Sequence, residues 1–174
     1  YTPASIKTNN DLASTVDTSD EWIFTRTGIK ERRIASEKET ASDMGASAAL
    51  RALEAAKLEA SDIDLVIVAT ITPDMPFPST ACLVQTKLGI PNAVCMDIEA
   101  ACSGFVYIME VAASMIRSGR YQHALIIGTE KLSSILDWED RTTCVLFGDG
   151  AGAAILGPSE TPGVGLLDFT LGSD

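Results

Sequence analysis

The sequence predicts an α/β fold: a mostly parallel sheet with helices on both faces. Three observations carry this expectation. Short β-branched runs such as Leu65–Ala69 and Ala124–Ile127 lack polar alternation, the mark of strands buried on both faces. The longer stretches between such runs return apolar residues at the helical period. Strands and helices alternate along the chain, and parallel neighbours need such crossovers.

Each element has a local cause. Asn9 and Asn10 are cap residues for a short helix through Val16, and Ser19 or Asp20 opens a second that stops at Gly28. Ile29–Ala35 reads as a short strand or extended segment. From Ser42 to Leu58 a helix places Met44, Ala48, Ala49, Ala52, Leu53 and Ala56 on one stripe, and its alanines allow close approach to a sheet. Leu65–Ala69 is the first buried strand. The proline-rich loop Thr72–Pro78 leads to a helix from Ser79 to Leu88, ended by Gly89. Ala93–Ile98 is expected as another buried strand. Glu99–Gly104 then turns into a helix reaching Arg117, with Phe105, Ile108, Met109, Ala112, Met115 and Ile116 on one face and Ser118–Gly119 at its end. Ala124–Gly128 is the third buried strand. Cys144–Phe147, Ala151–Leu156 and Val164–Leu171 follow as strand-like runs divided by Gly and Pro.

Composition narrows the function classes. The 174 residues, 46% hydrophobic and 21% charged, fit one globular domain or one half of a larger one. That apolar content excludes disorder as the main state. With 24 acidic and 13 basic side chains the net charge is −11, which argues against a nucleic-acid partner. No apolar run approaches bilayer length, so no membrane partner is expected. The chain opens on Tyr1 with no basic-then-apolar leader, and no signal peptide is expected. Cys82, Cys95, Cys102 and Cys144 therefore read as reduced thiols of a cytoplasmic protein. With no C-x-x-C pair and a single histidine, His123, a metal site is not expected either.

Among the candidate functional residues Cys102 stands out. It lies in the turn between a buried strand and a long apolar helix, and open α/β sheets bind ligands at the carboxyl ends of their strands. A helix N-terminus offers free N–H groups and partial positive charge, the setting of many nucleophilic cysteines. Small neighbours, Ala100, Ala101 and Gly104, would let a substrate approach. The alternative is an inert buried thiol. Gly148–Ala153 matches G-x-G-x-x-A, and Asp168 follows about twenty residues on, as a dinucleotide fingerprint asks. No room remains for the helix that must hold the pyrophosphate, so the segment reads as a tight glycine bend between strands. Arg26, Lys30, Arg32 and Arg33 form a basic cluster, with Trp22 one helical turn before Arg26. By itself this is a solvated face or an anion site with a stacking ring. His123 opens a strand at the end opposite Cys102, and Asp97 and Glu99 read as structural, because a carboxylate would oppose a nearby thiolate.

Three segments taken together are far more specific: Asp17–Gly28 (DTSDEWIFTRTG), Asp97–Phe105 (DIEAACSGF) and Phe147–Ala154 (FGDGAGAA). On these the sequence resembles the β-ketoacyl-acyl-carrier-protein synthase III family of the thiolase-like superfamily, over essentially its whole length. The resemblance implies that residues 1–174 form an N-terminal thiolase-like half with a mixed sheet, whose first strand would precede Tyr1. A second, similar half would follow. It implies a condensing acyltransferase of type II fatty acid synthesis, which loads an acyl group from acyl-CoA and condenses it with malonyl-acyl carrier protein. No separate cofactor is implied, the CoA thioester being a substrate. The acyl-accepting residue would be Cys102, whose own N–H would form part of an oxyanion hole. Trp22 and Arg141 match positions that sandwich the CoA adenine, and Thr18 and Arg26 match further CoA contacts, which turns the basic cluster into a phosphate-facing rim. Phe77 matches a residue that reaches over the acyl tunnel of a homodimer partner.

One departure limits the carry-over. The family's catalytic histidine and asparagine belong to the second half, and His123 does not match that position. The rival readings are a hydroxymethylglutaryl-CoA synthase-like enzyme, a non-catalytic interaction subunit and a nucleotide-binding oxidoreductase. The first needs a glutamate acid/base where this chain has Ile71, which cannot move a proton.

Overall fold

The computed structural model describes residues Tyr1–Gly172. Ser5–Thr8 (β1) and Glu31–Ile34 (β2) form an antiparallel ribbon in which Ile6 pairs with Arg33. The main sheet is built from Leu65–Ala69 (β3), Val94–Ile98 (β4), Ala124–Lys131 (β5) and Asp149–Leu156 (β6). Its order is β4-β3-β5-β6, with β3 parallel to both neighbours and β6 antiparallel to β5. The helices are Asn9–Ala13 (α1), Asp20–Thr27 (α2), Ala41–Ala56 (α3), Thr80–Leu88 (α4) and Gly104–Arg117 (α5).

The expected layers are present. Along β3, Val66 and Val68 point to one face, where they meet Ala49 and Leu53 of α3 and Val84 of α4. Leu65 and Ile67 point to the other, against Ile108 and Ala112 of α5. Both faces of this strand are apolar because both are covered, which is why its sequence shows no alternation. The small-residue stripe of α3 does what its alanines promised: a Cβ built at Gly45 would already stand 3.4 Å from Ile127 Cγ2 of β5. A third core, away from the main sheet, packs Leu12 and Ile23 against Cys144 and Val145.

Several sequence expectations are corrected. The first helix ends at Ala13, not Val16, and its cap is Thr8, whose hydroxyl accepts from Asp11 N–H. Asn9 is buried instead, donating to Asp20 (2.8 Å) and to the Ile29 carbonyl (2.7 Å), and so ties α1 to α2. The strand β4 lies at the sheet edge and is half exposed, so Ala93–Ile98 is not a buried strand; Val94 is 42% exposed. Cys144–Phe147 is a turn, not a strand, and its Cys144 and Val145 enter the third core; Val164–Leu171 has no pairing partner among the described residues and lies largely exposed. Gly148–Ala153 is no bend: from Asp149 it runs as β6, with Ala153 opposite Ile127. The ribbon strand β1 was not anticipated, having only four residues of mixed polarity.

Candidate active site

The strands β3, β4 and β5 run parallel, so their C-terminal ends share one edge of the sheet. From the end of β4 the chain passes Glu99–Ala100 and makes a single helical turn, Ala101–Ser103, that runs directly into α5. Ala101 has φ 44°, a left-handed conformation that costs a residue with a Cβ about 1 kcal/mol or more. Backbone strain is therefore stored at the residue before Cys102. Gly104 is buried, and a Cβ on it would come within 2.9 Å of Ala69 Cβ. Its smallness serves helix-to-sheet packing and not substrate access, contrary to the sequence reading. Cys102 itself is exposed, at the N-terminal end of α5.

Two hollows meet at this thiol. One, of about 340 Å³, is lined by Ala69, Phe105, Gly128, Gly150 and Gly152. Gly128 keeps it open, since a Cβ there would stand 3.2 Å from the Phe105 ring. The other, of about 400 Å³, is walled chiefly by the apolar side chains of Ile71, Leu132, Ile135, Leu136 and Phe147. Ala101, Cys102 and Glu130 border both. The remaining thiols offer no such setting. Burial pushes Cys95 up to about 12, with Cys82 beside it adding to the effect, and Cys144 is buried.

Glu130 escaped the sequence reading. It stands near the end of β5, and its carboxylate accepts from Ile71 N–H (2.9 Å) and Thr72 O–H (2.5 Å). The one available signal was a carboxylate three residues beyond the buried apolar run Ala124–Ile127, at the ligand-binding end of its strand. Asp97 is structural as expected: it accepts from the N–H groups of Thr80 (2.6 Å) and Ala81 (2.8 Å) and so caps α4 from a neighbouring strand. His123 sits at the opposite end of β5, with Nδ1 3.1 Å from the Asp62 carbonyl.

A second group of predicted residues gathers on α2. The Arg26 guanidinium lies 4.5 Å from the centroid of the Trp22 ring and that of Arg141 5.2 Å. Arg141 also donates to the Asp17 carbonyl (2.7 Å). Beside them the Thr18 hydroxyl is buried and has no hydrogen-bond partner among the described residues. The guanidinium of Arg141 rests on the indole so closely that no flat ring fits between them as they stand. The basic cluster does not stay together. Arg32 is buried and donates to Asn9 and to the Val145 carbonyl (both 2.9 Å), while Arg33 pairs with Glu31. Of the proposed rim, only Arg26 and Lys30 are exposed. Phe77 stands apart from both groups, 86% exposed on its proline-rich loop.

The sequence profile of the family described as 3-oxoacyl-[acyl-carrier-protein (ACP)] synthase III matches residues 96–174, which hold Cys102 and both glycines of β6. The beta-ketoacyl-[acyl-carrier-protein] synthase III of Oceanobacillus iheyensis is 57% identical over 174 residues, covering 100% of this chain and 55% of that protein. Over its whole length the chain matches the N-terminal half of the 3-oxoacyl-[acyl-carrier-protein] synthase III family. The synthase III of Neisseria meningitidis serogroup B is 59% identical over 165 residues, with 94% of this chain and 52% of that one covered. Among solved structures, the Thermus thermophilus synthase III superposes with a TM-score of 0.95 at 46% identity, covering 100% of this chain and 54% of its own. The Aquifex aeolicus synthase III gives 0.90 at 56% identity, over 92% and 52%. The chain thus spans about half the length of the synthase III relatives it matches, and the half is the N-terminal one.

Proposed function

We propose that this chain is the acyl-loading half of a condensing enzyme of type II fatty acid synthesis. The observation that carries the reading is the exposed Cys102 at the junction of two hollows, at the C-terminal edge of the parallel strands. Its sulfur attacks the carbonyl of an acyl-CoA thioester, acetyl-CoA being the simplest. The bond to the CoA sulfur breaks, and CoA leaves as a thiol with the proton that Cys102 gave up. The apolar hollow holds the short acyl chain. Malonyl-acyl carrier protein then loses CO2, and the resulting carbanion attacks the acyl carbonyl, which frees Cys102 and gives 3-oxoacyl-acyl carrier protein. Condensation draws on a histidine and an asparagine that the resemblance assigns to a second half. The reading needs no cofactor beyond these substrates.

Trp22, Arg141, Thr18 and Arg26 receive the CoA nucleotide in this reading, and Phe77 meets the second subunit of a homodimer. A cytoplasmic site of action fits free cysteines and the absence, among the described residues, of a helix long and apolar enough to cross a membrane. The test is acylation of the full-length protein that carries this chain. Acetyl-CoA should add the mass of an acetyl group to the peptide holding Cys102, and Cys102→Ala should remove that increment. Acylation confined to Cys82, Cys95 or Cys144 overturns the assignment.

A further inference from the structure

Carboxylates hold the Thr72–Pro78 loop at its start, its middle and its far end. At the start, Glu130 accepts from Ile71 N–H (2.9 Å) and Thr72 O–H (2.5 Å). In the middle, Asp74 reaches back to α3 and accepts from Ser42 N–H (2.9 Å) and from its hydroxyl. Beyond the end, Asp97 holds Thr80 and Ala81 as already described. Only the first of these three carboxylates also borders the hollows at Cys102. Thr72 is buried, and its Oγ in turn accepts from Lys131 N–H (2.8 Å), which locks the loop start to the end of β5. A charged acceptor shared by two donors is the strong kind of hydrogen bond, and its geometry is correspondingly narrow.

We propose that Glu130 is a positioning residue for acyl-chain choice: it couples the wall of the Cys102 hollows to the loop that carries Phe77. The inference rests on the acyl-loading reading above. On one side Glu130 and Ile71 line the apolar hollow; on the other, the same carboxylate sets where the loop leaves the sheet. Releasing the clasp moves Ile71 and the loop together, so the space offered to the acyl chain changes; a change at Thr72, which lines neither hollow, does this without replacing a residue that faces the chain. Glu130→Gln keeps an acceptor for Ile71 N–H but turns an N–H toward or away from Thr72, whose hydroxyl then loses its charged partner. Thr72→Val removes the same bond from the other side with little change of shape, and with it the acceptor of Lys131 N–H. Thr72→Ser retains it.

The experiment uses the full-length enzyme and a panel of acyl-CoAs of increasing chain length, with acylation of Cys102 followed by mass and by CoA release. Wild type and T72S should share one chain-length profile. In E130Q and T72V the ratio of kcat/KM for short to long chains should shift by about tenfold, the scale of one hydrogen bond to a charged group. The double variant should shift no further than T72V alone, because both changes break the bond between Glu130 and Thr72. Alkylation of Cys102 by a small reagent should stay at the wild-type rate in all of them. An unchanged profile in E130Q and T72V, with wild type fully active, overturns the coupling. So does loss of folded protein in both variants, which would make the clasp purely structural. A wild-type enzyme that takes no acyl group on Cys102 from any member of the panel overturns the reading of function itself.

Discussion

At the scale of single residues, two sites turn on what a side chain leaves room for. The indole of Trp22 carries two guanidinium groups, and cation–π contacts at exposed positions are worth about 0.5–1 kcal/mol each. A CoA adenine can stack on the ring only if Arg141 lifts away, and it then regains a similar contact from the ring it covers. Trp22→Ala and Arg141→Ala should each raise the KM for acyl-CoA by about fivefold to tenfold, with alkylation of Cys102 unaffected. Unchanged saturation in both variants would contradict the stacking role. Gly104 is the opposite case. Its backbone is ordinary right-handed helix, so alanine is conformationally welcome there and would gain up to about 1 kcal/mol of helix propensity. The added methyl would nonetheless meet Ala69 Cβ at 2.9 Å, and that atom is fixed to a central strand. Overpacking of this kind costs about 1–3 kcal/mol and wins. Gly104→Ala should lower the Tm, and Ala69→Gly in the same chain should restore most of the loss.

At the scale of elements, the helix starts carry much of the polar chemistry. Helix α3 opens with a reciprocal box: the Thr40 hydroxyl accepts from Asp43 N–H, and the Asp43 carboxylate accepts from Thr40 N–H. Burial alone would push the Asp43 carboxyl up, but bonds from the Lys87 ammonium and from Thr40 outweigh it and hold it below the usual carboxylate range. A carboxyl lowered in the folded state contributes stability that is present above its unfolded value, near pH 3.9, and is lost as pH falls through the folded one. Urea titrations of Asp43→Asn should therefore show a flatter acid limb than wild type below about pH 4. An acid limb as steep as that of wild type would exclude the carboxylate as its source. Much of this level was legible in the sequence. Ser19, Gly28, Ser79 and Gly89 stand at the helix ends where cap chemistry places them. The misses have a common cause. Asn9, Arg32, Cys144 and Val145 are shaped by partners far away in sequence, as when Arg32 donates to Val145, and no local pattern announces such a partner. The candidate site divides the same way. The position of Cys102 followed from a strand-to-helix turn, whereas Glu130 acquires its meaning only when the ends of β3 and β5 are side by side.

At the scale of the whole molecule, Phe77 is the most exposed large apolar side chain among the described residues. Phe77 is 86% exposed and Met75, two residues earlier on the same loop, 44%. Prolines fix φ along this loop, so the ring has little freedom to fold back. Covering it with a second subunit would contribute about 1.5–3 kcal/mol. In the full-length protein, Phe77→Ala should widen the range of acyl chains accepted more than it lowers the Tm. Full activity in an enzyme that sediments as a monomer would exclude a partner-dependent site, as would an unaltered chain-length range in the variant.

The stack on α2 also makes the protein its own optical instrument. Its two tryptophans are Trp22 and Trp138, and the latter is engaged elsewhere, donating to the Ser133 carbonyl at 3.2 Å with the Lys7 ammonium 4.8 Å from its ring. With Trp138→Phe, the tryptophan emission of this chain would come from Trp22 alone. Exchange of a guanidinium for a nucleobase on that indole alters both its quenching and the polarity around it. Occupancy of the proposed nucleotide rim could then be followed in real time, without a label, separately from the chemistry proposed at Cys102.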